Sequence, residues 1–159
     1  MLHQISGDLT TLTGRFVIVQ QVNCQNVMGA GLAKALMTRW PKMATDYHAF
    51  CAGRTPQALL GHIQTAIVGP DQFVCNVFGQ LRYGRHGHFT DESAPLSACE
   101  IIIAHASRAQ LPVFVPANLG SGLAGGDREQ IQTGLAQLAR HYSADVYLVD
   151  FASRVAIPN

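Results

Sequence analysis

Val22-Asn23-Cys24-Gln25-Asn26-Val27-Met28-Gly29-Ala30-Gly31-Leu32-Ala33 is the stretch whose reading decides the fold. Phe16 to Val19, just before it, is an apolar and mostly β-branched run that reads as a strand buried on both faces. Leu32 to Arg39, at its end, reads as a helix. A polar loop carrying glycines thus joins the C-terminal end of a strand to a helix N-terminus, the place where open α/β sheets bind ligands. A helix N-terminus offers free N–H groups and a partial positive charge, both suited to phosphate. Gly29 and Gly31 let the backbone approach a ligand, and Asn23 and Asn26 add neutral donors and acceptors. Together these features predict a binding loop for a phosphorylated ribose compound.

Outward from this loop, strand and helix patterns interleave. Leu2 to Ile5 is a short strand before Ser6-Gly7-Asp8-Leu9-Thr10. Trp40-Pro41 breaks the first helix, because a residue before proline avoids the helical region, and Pro41 can open a new one. Met43, Tyr47, Phe50 and Cys51 then share one helical face, and Gly53 ends it. His62 to Val68 and Phe73 to Phe78 read as strands joined by the turn Gly69-Pro70-Asp71, a candidate hairpin. Gly79 to Thr90 reads as a loop, Leu96 to Ala109 as a helix, and Pro112 to Pro116 as a strand. A second glycine-rich loop follows at Ala117 to Gly126, then a helical stripe (Ile131, Leu135, Leu138, Tyr142) and a last strand, Val146 to Val149. About six strands and four helices in this order predict one domain spanning 1–159, a three-layer α/β/α sandwich around a mixed, largely parallel six-stranded sheet.

Composition removes several function classes. With a net charge of +1 and no basic stripe, sequence-independent nucleic-acid binding is not expected. No apolar run approaches the roughly 20 residues of a membrane helix, and the N-terminal residues lack the pattern of a secretory signal. Cys24, Cys51, Cys75 and Cys99 form no CxxC pair, so no zinc site is expected and the thiols read as reduced. A cytoplasmic location is the resulting expectation.

Four constellations could carry chemistry. The first is the opening loop, with Asn23 bonding ribose hydroxyls; its bland alternative is an ordinary βα turn. The second is Asn118-Leu119-Gly120-Ser121-Gly122-Leu123-Ala124-Gly125-Gly126-Asp127, whose successive N–H groups can form an anion nest. It is not a Walker loop, because no GK[ST] follows. Two such loops on one sheet edge would grip a diphosphate from both sides. Asp127 is also a natural N-cap for the helix after it. The third is Asp8, able to accept from an adenine amino group or simply to cap a turn. The fourth is the loop with Arg82, Tyr83, Arg85, His86 and His88, which could bind phosphate or supply an acid or base. Cys24 reads as a small buried residue rather than a nucleophile. His3, His48, His62, His105 and His141 receive no role.

Taken together, these residues resemble a macro domain over nearly the whole chain. The likeness runs through Gly7-Asp8-Leu9, Gln21 to Gln25, Met28 to Lys34, Trp40-Pro41, Asn76 to Gln80 and Gly120 to Asp127. It is strongest to the branch associated with ADP-ribose-1''-phosphate processing and terminal ADP-ribose hydrolysis. The resemblance implies an ADP-ribose cleft; no cofactor and no metal site is expected. In that cleft Asp8 would bind adenine and Asn23 the distal ribose. Gly29, Ala30, Gly31 and Leu32 would line that ribose, and Gly120, Ser121, Gly122 and Leu123 would wrap the diphosphate. Phe151, just past the last strand, would stack near adenine.

The chain departs at three places from the proteins it resembles. Hydrolases that use a covalent lysine carry it where Gly79-Gln80 stand, and their aspartate falls at Ala124, three residues before Asp127. The related phosphatases have a histidine where Gln20 stands. The resulting expectation is a hydrolase acting on the distal ribose of ADP-ribose, removing a 1''-phosphate or an ester-linked protein. Asn23 would orient the ribose, loop N–H groups would hold the phosphates, and Asp127, or else His86 or His88, would activate water. The alternative is a reader module that binds ADP-ribose or an ADP-ribosylated protein without turnover.

Overall fold

In the computed structural model, residues 1–28, 31–80, 93–117, 119 and 128–158 are described. The strand before the opening loop, β2 (Phe16–Asn23), is central. Phe16, Val17, Ile18 and Val19 are all buried, so side chains on both faces of the sheet need a covering layer. That is why the run is apolar without alternation. The other strands are β1 (Leu2–Gly7), β3 (Ile63–Gly69), β4 (Gln72–Gln80), β5 (Val113–Pro116) and β6 (Val146–Phe151). Their order across the sheet is β1-β6-β5-β2-β4-β3. Every pairing is parallel except β3 with β4, which form the expected hairpin. Asp71 in its turn has φ 53°, a conformation that aspartate tolerates.

The helices are α1 (Gly31–Arg39), α2 (Pro41–Cys51), α3 (Pro56–Leu59), α4 (Ser93–Arg108) and α5 (Arg128–His141). Leu36 of α1 and Met43, Ala44, Tyr47 and Cys51 of α2 cover one face of the sheet, against Phe16, Ile18, Val22, Val74 and Phe78. Ile102 and Ile103 of α4 and Ile131, Leu135 and Ala139 of α5 cover the other, against Val17, Val19, Cys75, Val77 and Val115. The result is the three-layer α/β/α sandwich with a mixed, largely parallel six-stranded sheet that the sequence implies. Trp40 separates α1 from α2 and is buried beside Phe16 at 5.6 Å between ring centroids.

Several boundaries differ from expectation. Strand β4 continues through Gly79 to Gln80, residues read as loop because of the glycine. Strand β6 continues to Phe151, which is therefore a strand residue. Helix α3 was not expected. Its start, Thr55-Pro56, has the right chemistry, for the Thr55 hydroxyl accepts from the Ala58 N–H at 3.2 Å and proline sits at the first turn. Four residues are too few to show a periodic stripe. A 3₁₀ turn at Leu9–Thr11 follows Asp8.

A row of buried amides crosses the face under α2. Gln20 Nε2 donates to Asn76 Oδ1 at 2.7 Å, and Asn76 Nδ2 donates to Gln64 Oε1 at 2.7 Å. All three side chains are buried, and the row ties β2, β4 and β3 in register. Satisfied amides in a dry layer are stabilising chiefly because leaving them unpaired is costly. Asn76→Leu should lower stability by about 2–4 kcal/mol, since it orphans two buried partners. Urea unfolding measures this, and an unchanged midpoint would contradict the account.

Candidate ligand-binding site

The parallel strands β1, β6, β5, β2 and β4 all end along one edge of the sheet. At the β5/β2 boundary the following helices part. Strand β2 leads to α1 and α2 on one face, and β5 leads to α5 on the other. A divergence of this kind is where open α/β sheets bind ligands. Ile18 pairs with Phe114, which sets Pro116 level with Gln20 while β2 runs on to Asn23. The β5–α5 connection thus begins in a notch beside the end of β2.

Asn23 is buried at the tip of β2 and organises the loop after it. Its Nδ2 donates to the Val27 carbonyl at 2.6 Å, and its Oδ1 accepts from the Gln25 N–H at 2.9 Å. Asn26 adopts φ 61°, which closes the turn and which asparagine accepts at low cost. Gly31 opens α1 at φ +60° with open space around it, so a side chain there would be strained by backbone geometry alone. Leu32 is half-buried against the core beneath α1.

Two adjacent residues of α2 support this loop, and neither was given a role on sequence grounds. The Tyr47 hydroxyl donates to the Asn23 carbonyl at 3.0 Å and lies 3.4 Å from its Oδ1. Tyr47 is fully buried, and burial first of all raises its hydroxyl well above the ordinary range, so it stays a donor. His48 Nδ1 bonds Asn26 Oδ1. Cys24, next to Asn23, is buried, and desolvation together with Cys51 pushes its thiol up to about 11. It is a neutral thiol near pH 7, as a small buried cysteine should be, and no activated nucleophile.

Asp8 and Phe151 stand together at the far end of the same edge, because Gly7 pairs with Phe151. Asp8 Oδ1 accepts from the Thr10 N–H at 2.9 Å and the Thr10 hydroxyl at 2.6 Å, so the capping role is real. The Thr10 hydroxyl is the main reason its carboxyl lies below the usual range, opposed by desolvation and aided by the Thr10 and Arg154 N–H groups. Oδ2 has one long contact, 3.4 Å from the Arg154 N–H. Residues after β6 fold back over Gly7, where an added Cβ would sit 2.5 Å from Ile157 Cγ1. Glycine there allows the tail to hold Asp8 in place, with the Asp8 N–H bonded to the Val155 carbonyl at 2.9 Å. Phe151 is 75% exposed, an apolar ring left in solvent at the strand end next to β1.

Between these ends lies the start of the β5–α5 connection. Gln132 Nε2 of α5 donates to the Ala117 carbonyl at 2.9 Å, and Leu119 is buried with its N–H on the Pro116 carbonyl. Gly29, Ala30, Gly120, Ser121, Gly122, Leu123 and Asp127 lie outside the described residues, as do Ala124, His86 and His88. Among the described residues no cluster of three metal-ligating side chains occurs, and all four cysteines are free and buried.

The chain is similar to solved structures. A protein of unknown function from Bacteroides thetaiotaomicron matches at 22% identity and TM-score 0.84, over 96% of this chain and 98% of that one. The macrodomain of Mycobacterium tuberculosis DarG matches at 23% identity and TM-score 0.75, over 96% and 99%. An Oceanobacillus iheyensis macrodomain mutant with ADPR matches at 16% identity and TM-score 0.70, over 96% and 86%. The fold is therefore the macrodomain fold. No protein-family model matches the chain, and no curated protein matches it in sequence.

If the α2 contacts support the loop, Tyr47→Phe should cost about 1 kcal/mol of stability. It should also speed hydrogen exchange at the Gln25 and Val27 amides relative to the core strands. Unchanged exchange at those two amides would remove Tyr47 from this role.

Proposed function

We propose that the chain binds ADP-ribose along the C-terminal edge of its sheet and hydrolyses a group from the distal ribose. The observation that carries the binding half is the order of groups along that edge. Asp8 and Phe151 stand at β1 and β6, the β5–α5 connection comes next, and the Asn23 loop stands at β2. Three strand spacings separate the ends, about 14 Å. A ligand with a nucleobase, a diphosphate and a second sugar has its groups in the same order. Phe151 offers a stacking surface and Asp8 Oδ2 an acceptor for an exocyclic amine. The N-termini of α1 and α5 suit a diphosphate. The ADPR of the Oceanobacillus iheyensis structure supports the same ligand on the same fold.

For turnover, Asn23 would orient the ribose and Asp127 would activate water, with a 1''-phosphate or an ester-linked protein as the leaving group. A reader module is the second reading. It is favoured by the absence of an activated group around Asn23 among the described residues. Its neighbours there are a neutral tyrosine, loop amides and a protonated thiol. The proposal includes ADP-ribosylated protein as a partner and a cytoplasmic setting, which buried free thiols suit. Among the described residues no helix is long and apolar enough to cross a membrane.

Two substrates distinguish the readings. ADP-ribose-1''-phosphate and glutamate-ADP-ribosylated protein are each incubated with the protein and with Asp127→Ala. The proposal expects free ADP-ribose from at least one substrate, and a loss of about a hundredfold or more in the variant, the size of a removed general base. Binding without product in either case would establish the reader. Full turnover by Asp127→Ala would remove that residue from the mechanism.

A further inference from the structure

A second surface lies away from the ligand edge, where α2 meets the edge strand β3. A groove of about 530 Å³ opens between Asp46, Phe50 and Arg54 on one side and Ile63, Gln64 and Thr65 on the other. Arg54 is held there, since its guanidinium lies 4.3 Å above the Phe50 ring and Nη1 donates to the Phe50 carbonyl. No described carboxylate pairs with it. Asp46 is paired with Lys42, with Nζ 2.8 Å from Oδ2, which leaves Arg54 as the charged group lining the groove with no described ion-pair partner. Gln64 is more than nine-tenths buried, and its Oε1 is turned inward to Asn76. That leaves its Nε2 facing the groove as a donor fixed by the amide row behind it.

The strand beside the groove is unguarded. Ile63–Gly69 reads IQTAIVG and holds no lysine, no proline and no charge, the devices that keep an edge from pairing. No described strand pairs with its outer side, and Ile67 is 58% exposed. The one irregularity falls between Ile67 and Gly69, so the ladder from Ile63 to Ile67 is regular.

The geometry points to an extended acidic peptide that adds a strand to β3 and places a carboxylate side chain on Arg54 and Gln64 Nε2. Backbone pairing supplies the affinity and the groove supplies the preference. Successive side chains of an added strand alternate between faces. Acidic residues at every second position would meet the groove, and apolar residues between them would meet Ile67 on the opposite face. A charged hydrogen bond to a fixed arginine favours carboxylate over a neutral or basic side chain.

The probe is a fluorescein-labelled peptide of alternating Glu and Val, matched in length to the seven residues of β3. A Lys/Val peptide is its control, and anisotropy is the readout. The Glu/Val peptide should bind the full chain and the control should not. Arg54→Glu and Ile67→Lys should each weaken binding about tenfold or more while the protein stays folded by circular dichroism, because both side chains are exposed. No binding to the folded wild type, or equal binding by both variants, would overturn the inference. Concentration-dependent dimerisation abolished by Ile67→Lys would identify a second copy as the occupant and overturn it too. Neither result depends on ADP-ribose binding.

Discussion

Burial of β2 on both faces is the constraint from which the rest follows. Phe16 and Ile18 require a layer on one side, Val17 and Val19 a layer on the other. A chain with a short central run of this kind must send helices both ways. Here it sends α1 and α2 after β2 to one face and α5 after β5 to the other. Because those two strands are neighbours, the divergence falls between them. The divergence is thus a by-product of covering an apolar strand, and it falls at the kind of place where open α/β sheets bind ligands.

Within that frame the loop at Asn23 is built largely from its own polar groups. The Asn23 amide spans to Gln25 and Val27, while α2 reaches over with Tyr47 and His48 to fix Asn23 and Asn26. The apolar part of α2 packs on Phe78, with the Tyr47 and Phe78 rings stacked at 5.8 Å. One tyrosine therefore serves the core with its ring and the loop with its hydroxyl. Asp8 shows a similar economy. Oδ1 closes its own turn on Thr10, and Oδ2 faces the tail at the Arg154 N–H.

Much of this was legible in the sequence, and the rest was hidden for definite reasons. Strand β2, the hairpin and the break at Trp40-Pro41 announce themselves through local pattern and turn chemistry. The placing of Asp8 and Asn23 at strand ends follows from the same reading. Tyr47 and His48 were not legible as loop supports, because their partners lie 24 and 22 residues away. On the helix Tyr47 shows only as one apolar position in a stripe. Gly79 misled in the other direction, since a glycine suggests a loop while β4 simply passes through it, close against Pro95. The amide row of Gln20, Asn76 and Gln64 is likewise invisible until three strands are aligned.

The central claim is that ligand binding belongs to the strand-end edge created by the divergence at β5 and β2. Nitrogen–proton correlation spectra recorded during titration with ADP-ribose test it most directly. The account predicts the largest shifts at Asp8, at Asn23 and the loop after it through Leu32, at Ala117 and the residues leading to α5, and at Phe151. Gly14 and Asp71, at the opposite edge, should hold still. Shifts concentrated at that opposite edge, or spectra unchanged by ADP-ribose, would contradict it.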